Sequence, residues 1–463
     1  MAVKDNKQAK THQLPQDDDE IVDVNEGKLP PFHTPKGMPD ILPTDHEYQT
    51  FIKKIARHRG RQAGFRRITT PMVEFTELFK LGIGETSDIV SNELYTFEDK
   101  KGRSMALKPE STVGVCRAYI QNNMKDWPQP VELYYIDPHF RYDKPQSGTY
   151  RQFWQLGFEI LGEKDPALDA QAIYLAYKIL QDLGIAHTFK LQINNIGDIE
   201  SRKQYIEVLR EYYYGKERYL SEEDKARLEK NPLRILDSQH EDTVILNQSA
   251  PKLKDFLSQE CKDFDLEVKE YLTALGIEFE ENPTLVRGLD YYTHTVFEFW
   301  DVKRGAQNTI IGGGRYDGLV EALGGSPTPG FGFGMGIDRA IAQMKRQKVR
   351  VPHKDDLHVF VAQLGRQAKK KCLPLIADLR EHGVKTMGAL GKDSIKAQLR
   401  IADTFKVPYC IIMGLTEVRE NNVIIRNMKV GTQVTVPIGK AVEEVLKRIG
   451  KAALDFYDPK EPV

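Results

Sequence analysis

The chain has 463 residues, 40% of them hydrophobic and 29% charged, with a formal net charge of −1. That length exceeds one ordinary domain and points to two or three, of ordinary globular composition. No run approaches the ~20 apolar residues of a membrane span, and the polar segment Met1–Lys10 lacks the apolar core of a secretory signal, so we expect no membrane and a cytoplasmic location. The four cysteines, Cys116, Cys261, Cys372 and Cys410, lie far apart with no C-x-x-C pair, and no H-E-x-x-H occurs. A disulfide framework and a protein-held metal are therefore not expected. Charge is unevenly placed: residues 341–450 hold 21 Lys and Arg against 10 Asp and Glu. A basic C-terminal module on an acidic body suits a nucleic-acid contact, and a solvated charged surface explains it equally well.

Residues 1 to about 30 contain Asp17-Asp18-Asp19-Glu20 and few apolar side chains, and read as a disordered leader. Order should begin near Pro35. His46–Gly64 reads as a helix ended by a glycine. Arg67–Phe75 reads as a strand that Pro71 confines to an edge or an end. Lys108-Pro109-Glu110-Ser111-Thr112 presents a carboxylate and two hydroxyls. These suit the first turn of a helix over Val113–Ile120, and equally a polar binding group.

Segments 131–143 and 150–162 read as long strands joined by the turn Lys144–Thr149. Alternation puts Trp154, Leu156, Phe158 and Ile160 on a core face. Arg151, Gln155 and Glu159 then face the other way around Gly157, and Asp137, His139 and Arg141 share a face of the first strand. The hairpin offers a floor with a cation, an amide and a carboxylate. Taken alone, it is explained as well by a sheet with one solvated face.

Pro166–Leu183 reads as an amphipathic helix. Residues 196–277 are helical and highly charged, an inserted subdomain with Tyr205, Val208, Leu209 and Tyr212 on one face. Strands are expected at 284–300 and 308–312, and a helix at 315–323. Within the first of these, Arg287 beside Tyr291 and Tyr292 suits charge neutralisation on a phosphate, but taken alone the three are better explained by surface salt bridging and core packing. In 329–336, Gly330, Gly332, Gly334 and Gly336 alternate with Phe331, Phe333 and Met335. A strand with one bare face loses packing, so something flat should lie on it, and a nucleotide base fits. Arg339 follows at a helix start, placed to stack on that base. The spacing is neither a G-x-G-x-x-G fingerprint nor a P-loop. After a basic linker, Lys345–His353, strand and helix alternate: strands at 357–364, 384–389 and 407–413, helices at 366–382 and 394–405. This is a separate βαβ-type module.

Taken in order, these elements resemble the class II aminoacyl-tRNA synthetases. Thr70–Glu74 resembles motif 1, Phe140-Arg141 through Glu159 motif 2, and Gly330–Arg339 motif 3. Arg287-Gly288-Leu289-Asp290-Tyr291-Tyr292 and Gly313-Gly314-Arg315-Tyr316-Asp317-Gly318 narrow the match to the histidyl-tRNA synthetases, over roughly Pro35–Ile449. The resemblance implies an α+β fold. An antiparallel β-sheet catalytic core would span 31–350 with a helical insertion at about 197–280. An anticodon-binding α/β domain would follow at 356–450, then a tail at 451–463.

The resemblance also implies activation of L-histidine with ATP to the adenylate, then transfer to the 3′ end of tRNA(His). Glu110 and Thr112 would hold the substrate α-amino group with help from Gln155. Glu159 and Tyr292 would bracket the imidazole, with Tyr291 adjacent, so that an apolar analogue would leave polar groups unpaired. Arg141 would grip the ATP α-phosphate and Arg287 would stabilise it under attack. Arg339 would stack on adenine, with Tyr316 near the pocket and Mg2+ on the outer phosphates. Lys144 and Gln146 would meet the tRNA acceptor end, the insertion would clamp its stem, and motif 1 would form a homodimer. The chain departs from the pattern at Thr149, where many relatives carry arginine. The alternatives are a catalytically silent paralogue regulating histidine biosynthesis and an RNA-sensing module of the kind fused to kinases. The C-terminal module, the full set of site residues and the lack of a kinase signature count against both.

Overall fold

The structure, a computed structural model, describes residues 33–85, 87–144, 149–238, 240–303, 309–352 and 357–456. The leader expected at 1–30, Gln146 and most of the expected tail lie outside them. The chain divides into two compact units between Arg350 and Val351.

The first unit opens with helix α1 (Pro43–Gln62), whose Ile52, Ala56 and Gly60 are buried at helical spacing. The expected single strand over 67–75 is instead two short ones, β1 (Arg66–Arg67) and β2 (Val73–Phe75), in different sheets. Pro71, which has no N–H for a ladder, stands between them. Next come α2 (Thr76–Ile83), β3 (Thr96–Glu98), β4 (Ser104–Leu107) and α3 (Thr112–Gln121). The long hairpin β5 (Val131–Phe140) and β6 (Gln152–Leu161) pairs antiparallel from Val131–Leu161 to Phe140–Gln152. Helix α4 (Pro166–Asp182) starts on a proline, with Asp165 accepting from Ala167 N at 2.8 Å.

After β7 (Phe189–Asn195) the insertion supplies α5 (Ile199–Tyr213), α6 (Glu222–Lys230), α7 (Glu241–Asn247) and α8 (Gln259–Ala274). The chain returns through β8 (Phe279–Glu281), β9 (Thr293–Asp301), β10 (Ile311–Arg315), α9 (Leu319–Ala322), β11 (Gly330–Gly336) and α10 (Ile337–Arg346). The expected strand over 284–300 is thus a strand only from Thr293, and the stretch before it is irregular. Pro283 removes a ladder donor there, and several carbonyls of the stretch bond to side chains instead. The expected helix over 315–323 shrinks to α9, because Arg315 belongs to β10 and is anchored there by a buried pair with Asp169.

The main sheet has eight strands in the order β1-β5-β6-β11-β10-β9-β7-β8. It is antiparallel except for the β1–β5 and β7–β8 edge pairs. One face carries the core that alternation predicts. Phe158 stacks on Tyr134 and Phe333, and Phe297 on Phe331, beneath α1, α4 and α10. Gly60 lets α1 approach: a Cβ there would lie 3.1 Å from the Phe158 ring. The opposite face is polar and carries the site. A separate three-stranded sheet, β2-β4-β3, leaves Val73, Phe75 and Phe97 exposed.

The second unit is a five-stranded sheet in the order β13-β12-β14-β15-β16. Its strands are β12 (Val359–Gln363), β13 (Thr386–Gly388), β14 (Tyr409–Met413), β15 (Asn422–Asn427) and β16 (Gln433–Pro437). Helices α11 (Gly365–Glu381), α12 (Ile395–Thr404), α13 (Leu415–Glu420) and α14 (Ala441–Ile449) connect and flank them. The three strands expected from the βαβ alternation are the parallel ones. The β15–β16 hairpin lies beyond the last strand expected from sequence.

All four cysteines are buried and unpaired. Burial pushes the thiol of Cys372 up to about 11 and that of Cys410 up to about 12. No helix among the described residues is long and apolar enough to cross a membrane.

Candidate active site

A cavity of about 390 Å³ opens on the polar face, lined among others by Arg141, Gln155, Arg287, Glu298 and Arg339. Its floor is bare backbone at Gly312, Gly334 and Gly336. Arg287 rests directly on Gly312, where a Cβ would lie 2.4 Å from Nη1. Glu298 of β9 pairs with Arg287 and also accepts from Trp300 Nε1 and Thr309 Oγ1, each at 2.6 Å. Sequence reasoning missed Glu298. The available signal was a carboxylate set between Phe297 and Phe299, on the face opposite those two rings.

The hairpin delivers Arg141 and Gln155. Arg141 leaves the end of β5 and donates to the Pro109 carbonyl at 2.9 Å, with Phe153 beneath its guanidinium at 5.5 Å. Segment 108–112 is itself fixed to the sheet. Lys108, 1% exposed, pairs with Asp137 at 2.9 Å, and its carbonyl accepts from Phe140 N at 3.0 Å. Ser111 Oγ bonds His139 Nε2 at 2.8 Å. Burial, with Lys108 and Arg141 nearby, holds His139 well below its usual 6.5, so its imidazole is neutral. From the other wall, Arg339 donates to the Thr309 carbonyl at 2.7 Å and to Thr149 Oγ1 at 3.2 Å. The one departure from the family pattern therefore bonds the arginine expected to stack on the base.

Beside the cavity lies a buried polar cluster. Glu159 accepts from Thr112 Oγ1 at 2.8 Å and from the Tyr316 hydroxyl at 2.6 Å. Gly332 makes room for it: a Cβ there would lie 1.8 Å from Glu159 Oε2. Burial, opposed by these two hydrogen bonds, pushes the Glu159 carboxyl up to about 8. Glu110 accepts from Thr112 N at 2.8 Å and Val113 N at 2.9 Å, and burial raises its carboxyl too. The Tyr291 hydroxyl reaches Glu110 at 3.4 Å, and the Tyr291 and Tyr292 rings touch at 4.7 Å.

The structure thus sorts the expected residues into two groups. Arg141, Gln155, Arg287 and Arg339 share the cavity wall. Glu110, Thr112, Glu159, Tyr291, Tyr292 and Tyr316 form the cluster. Tyr316, expected on the nucleotide side, sits instead against Glu159, with Gly330 clearing space for its ring. The bare face expected to carry a base is likewise divided. At Gly330, Gly332 and Gly334 the protein's own Tyr316, Glu159 and Gln155 cover it, and Gly336, with Arg339 beside it, is the position left open to the cavity. Glu110 serves the N-terminus of α3, the capping alternative. Lys144 is exposed, with its own N–H turned to Asp143 Oδ1 at 2.6 Å.

Residues 37–340 match the family described as histidyl-tRNA synthetase, and residues 358–448 match the anticodon binding domain. A histidine–tRNA ligase of Dehalococcoides mccartyi is 42% identical over 418 residues, 90% of this chain and 100% of that protein. One of Halothermothrix orenii is 42% identical over 416 residues, 90% of this chain and 99% of that protein. The crystal structure of apo S. aureus histidyl-tRNA synthetase superposes with a TM-score of 0.73 at 34% identity, covering 89% of this chain and 99% of that one. A synthetase core followed by an anticodon-binding module is the build of an aminoacyl-tRNA synthetase of class II. Specifically, the chain belongs to the histidyl-tRNA synthetase family.

Proposed function

We propose that the protein activates L-histidine with ATP, releasing pyrophosphate, and transfers the histidyl group to the 3′ end of tRNA(His). The observation that carries this reading is the convergence of Arg141, Arg287 and Arg339 on a glycine-floored cavity that adjoins the Glu159 cluster. The attacking group is the substrate's own carboxylate, so no protein nucleophile is required, and catalysis is positioning and charge stabilisation. Arg141 holds the α-phosphate. Arg287, lying flat on Gly312, stabilises the charge that grows there during attack. Arg339 closes the adenine side, where Gly336 lets a ring approach the backbone. Glu159 and Tyr292 bracket the imidazole, Tyr291 supports them, and Tyr316 and Thr112 hold the Glu159 carboxyl in place. Gln155 and Glu110 meet the substrate ammonium.

Magnesium enters with ATP and would draw on the hard oxygen donors Glu93 and Glu298 of the cavity wall. Among the described residues no group of three or more His, Cys, Asp and Glu side chains is placed to hold a metal, so phosphate oxygens would supply most of the ligands. Lys144 and Gln146 meet the acceptor end, the insertion clamps its stem, and the basic second unit reads the anticodon. The exposed Val73, Phe75 and Phe97 of the small sheet pair two copies into a homodimer in the cytoplasm.

The test is exchange of labelled pyrophosphate into ATP across a panel of amino acids. Exchange should appear with histidine and not with its apolar analogues. Folded protein that gives none with histidine would remove the activation reading and favour a silent paralogue.

A further inference from the structure

We infer that Arg202 and Arg234, both carried by the helical insertion, are positioning residues for the activation step. They fix the backbone of the loop that bears Arg287, Tyr291 and Tyr292, and the inference rests on the activation reading above. Residues 283–292 lie between β8 and β9 with no ladder of their own. Their carbonyls, with no ladder to join, take donors from other parts of the chain.

The insertion supplies those donors. Arg234, 6% exposed, donates to the Gly288 carbonyl at 2.7 Å. Arg202 of α5 donates to the Asp290 carbonyl at 3.3 Å and to the Tyr292 carbonyl. Alternate carbonyls of the loop, at 288, 290 and 292, are thus each held by an insertion guanidinium. Arg234 also reaches Asp290 Oδ1 at 3.4 Å, and Asn231 Nδ2 reaches the same oxygen at 3.1 Å. The other nitrogen of the Arg234 fork bonds Asp88 Oδ2 at 3.0 Å, and Asp88 lines the cavity. One side chain therefore ties the loop to a second part of the cavity lining. Only the planar fork of arginine satisfies both acceptors at once.

The grip is rigid because its base is rigid. The turn bearing Arg234, Pro232–Asp237, gives its Ile235 carbonyl to Asn247 Nδ2 at 2.7 Å. Ser238 Oγ donates to Asp224 at 2.6 Å, and Asp224 is fully buried. On the far side the Asp290 amide donates to the Ile83 carbonyl at 3.1 Å, and Gly84 leaves space where a Cβ would lie 2.3 Å from Asp290 Oδ2. An insertion held only for stability would end its polar contacts on helices or on the sheet. The insertion makes such contacts too, Glu260 with Lys164 and the Cys261 carbonyl with Asn195, but Arg202 and Arg234 go further and reach the three carbonyls beside the site's side chains.

The test is histidine-dependent pyrophosphate exchange by the full chain, with active sites counted from the burst of adenylate. Arg234→Lys should lower kcat per active site about tenfold, with KM for ATP and histidine nearly unchanged, because it frees the backbone beside Arg287. Arg202→Lys should instead raise KM for histidine about tenfold, because it frees the backbone at Tyr292. Asp88→Asn keeps the insertion's contacts with the loop and should share the kcat loss at about threefold, since it weakens the Arg234 tie to Asp88 together with a longer Arg227 pair at 3.6 Å. An active wild type matched by the variants per active site would overturn the inference alone. So would losses explained entirely by fewer titratable sites. A wild type inactive with histidine would overturn the activation reading and this inference together.

Discussion

The Tyr316 hydroxyl donates to the Glu159 carboxyl across 2.6 Å, and each residue is only 1% exposed. Burial lifts the Glu159 carboxyl from its ordinary 4.5 to about 8. Below the lower value both folded and unfolded chains are protonated there, and this group gives no pH dependence. Between the two values the folded chain keeps a proton that the unfolded chain has released, so stability falls as pH rises through the window. Glu110, raised by the same cause, acts in the same direction. The melting temperature of the ligand-free protein should therefore fall more steeply from about pH 5 to about pH 8 than that of Glu159→Gln. Parallel melting curves for the two proteins would show that Glu159 is charged throughout.

Gly332 and Gly334 face the same side of β11, but their substitutions should differ. A Cβ at Gly332 would lie 1.8 Å from Glu159 Oε2 and 2.7 Å from the Phe158 carbonyl, and that backbone cannot swing away. At Gly334 the nearest atom is the Gln155 amide nitrogen at 2.7 Å, the end of a movable side chain. Gly332→Ala should cost about 2–3 kcal/mol of stability in denaturant titration, and Gly334→Ala less than about half of that. Gly334→Ala, by displacing Gln155, should act mainly on KM for histidine. Equal losses at the two sites would contradict the geometry.

Arg287 is held flat between Gly312 and Tyr292, with Glu298 as its partner. Arg287→Ala should slow adenylate formation by about 10²-fold or more, measured as single-turnover pyrophosphate release. Unchanged turnover would take Arg287 out of the mechanism.

Phe75 is 49% exposed and Phe97 is 45% exposed on the small sheet. Phe75→Asp should shift sedimentation from dimer toward monomer by at least tenfold in dissociation constant, the effect of about 1.4 kcal/mol at a desolvated position. A wild type that sediments as a monomer would refute the pairing through this sheet.

Much of this architecture was legible from alternation. Period two in β6 separated Phe158 from Glu159 before any coordinates did, and the aromatic stack and the polar cluster lie where that parity put them. The glycine alternation in β11 marked the bare strand. It did not show that Tyr316, Glu159 and Gln155, distant in sequence, cover most of it, because a bare face says nothing of what covers it. The stretch 284–292 misled for a related reason. Its apolar and aromatic residues have strand propensity, whereas its backbone is satisfied by Arg202 and Arg234 from the insertion, a tertiary effect that local pattern does not carry. Thr112 and Glu110 suited both a helix cap and a ligand contact, and the ligand-free structure displays the cap.

The depth of the four thiols has a practical consequence. Cys116 and Cys261 sit in the first unit with their thiols raised by burial, and Cys372 and Cys410 are likewise sealed in the second. The native chain should give almost no background with maleimide dyes. A single cysteine placed at Tyr214, which is 83% exposed on the insertion, would then be an addressable handle. A fluorophore there would report whether the insertion meets RNA, without first having to strip the protein of its own sulfur.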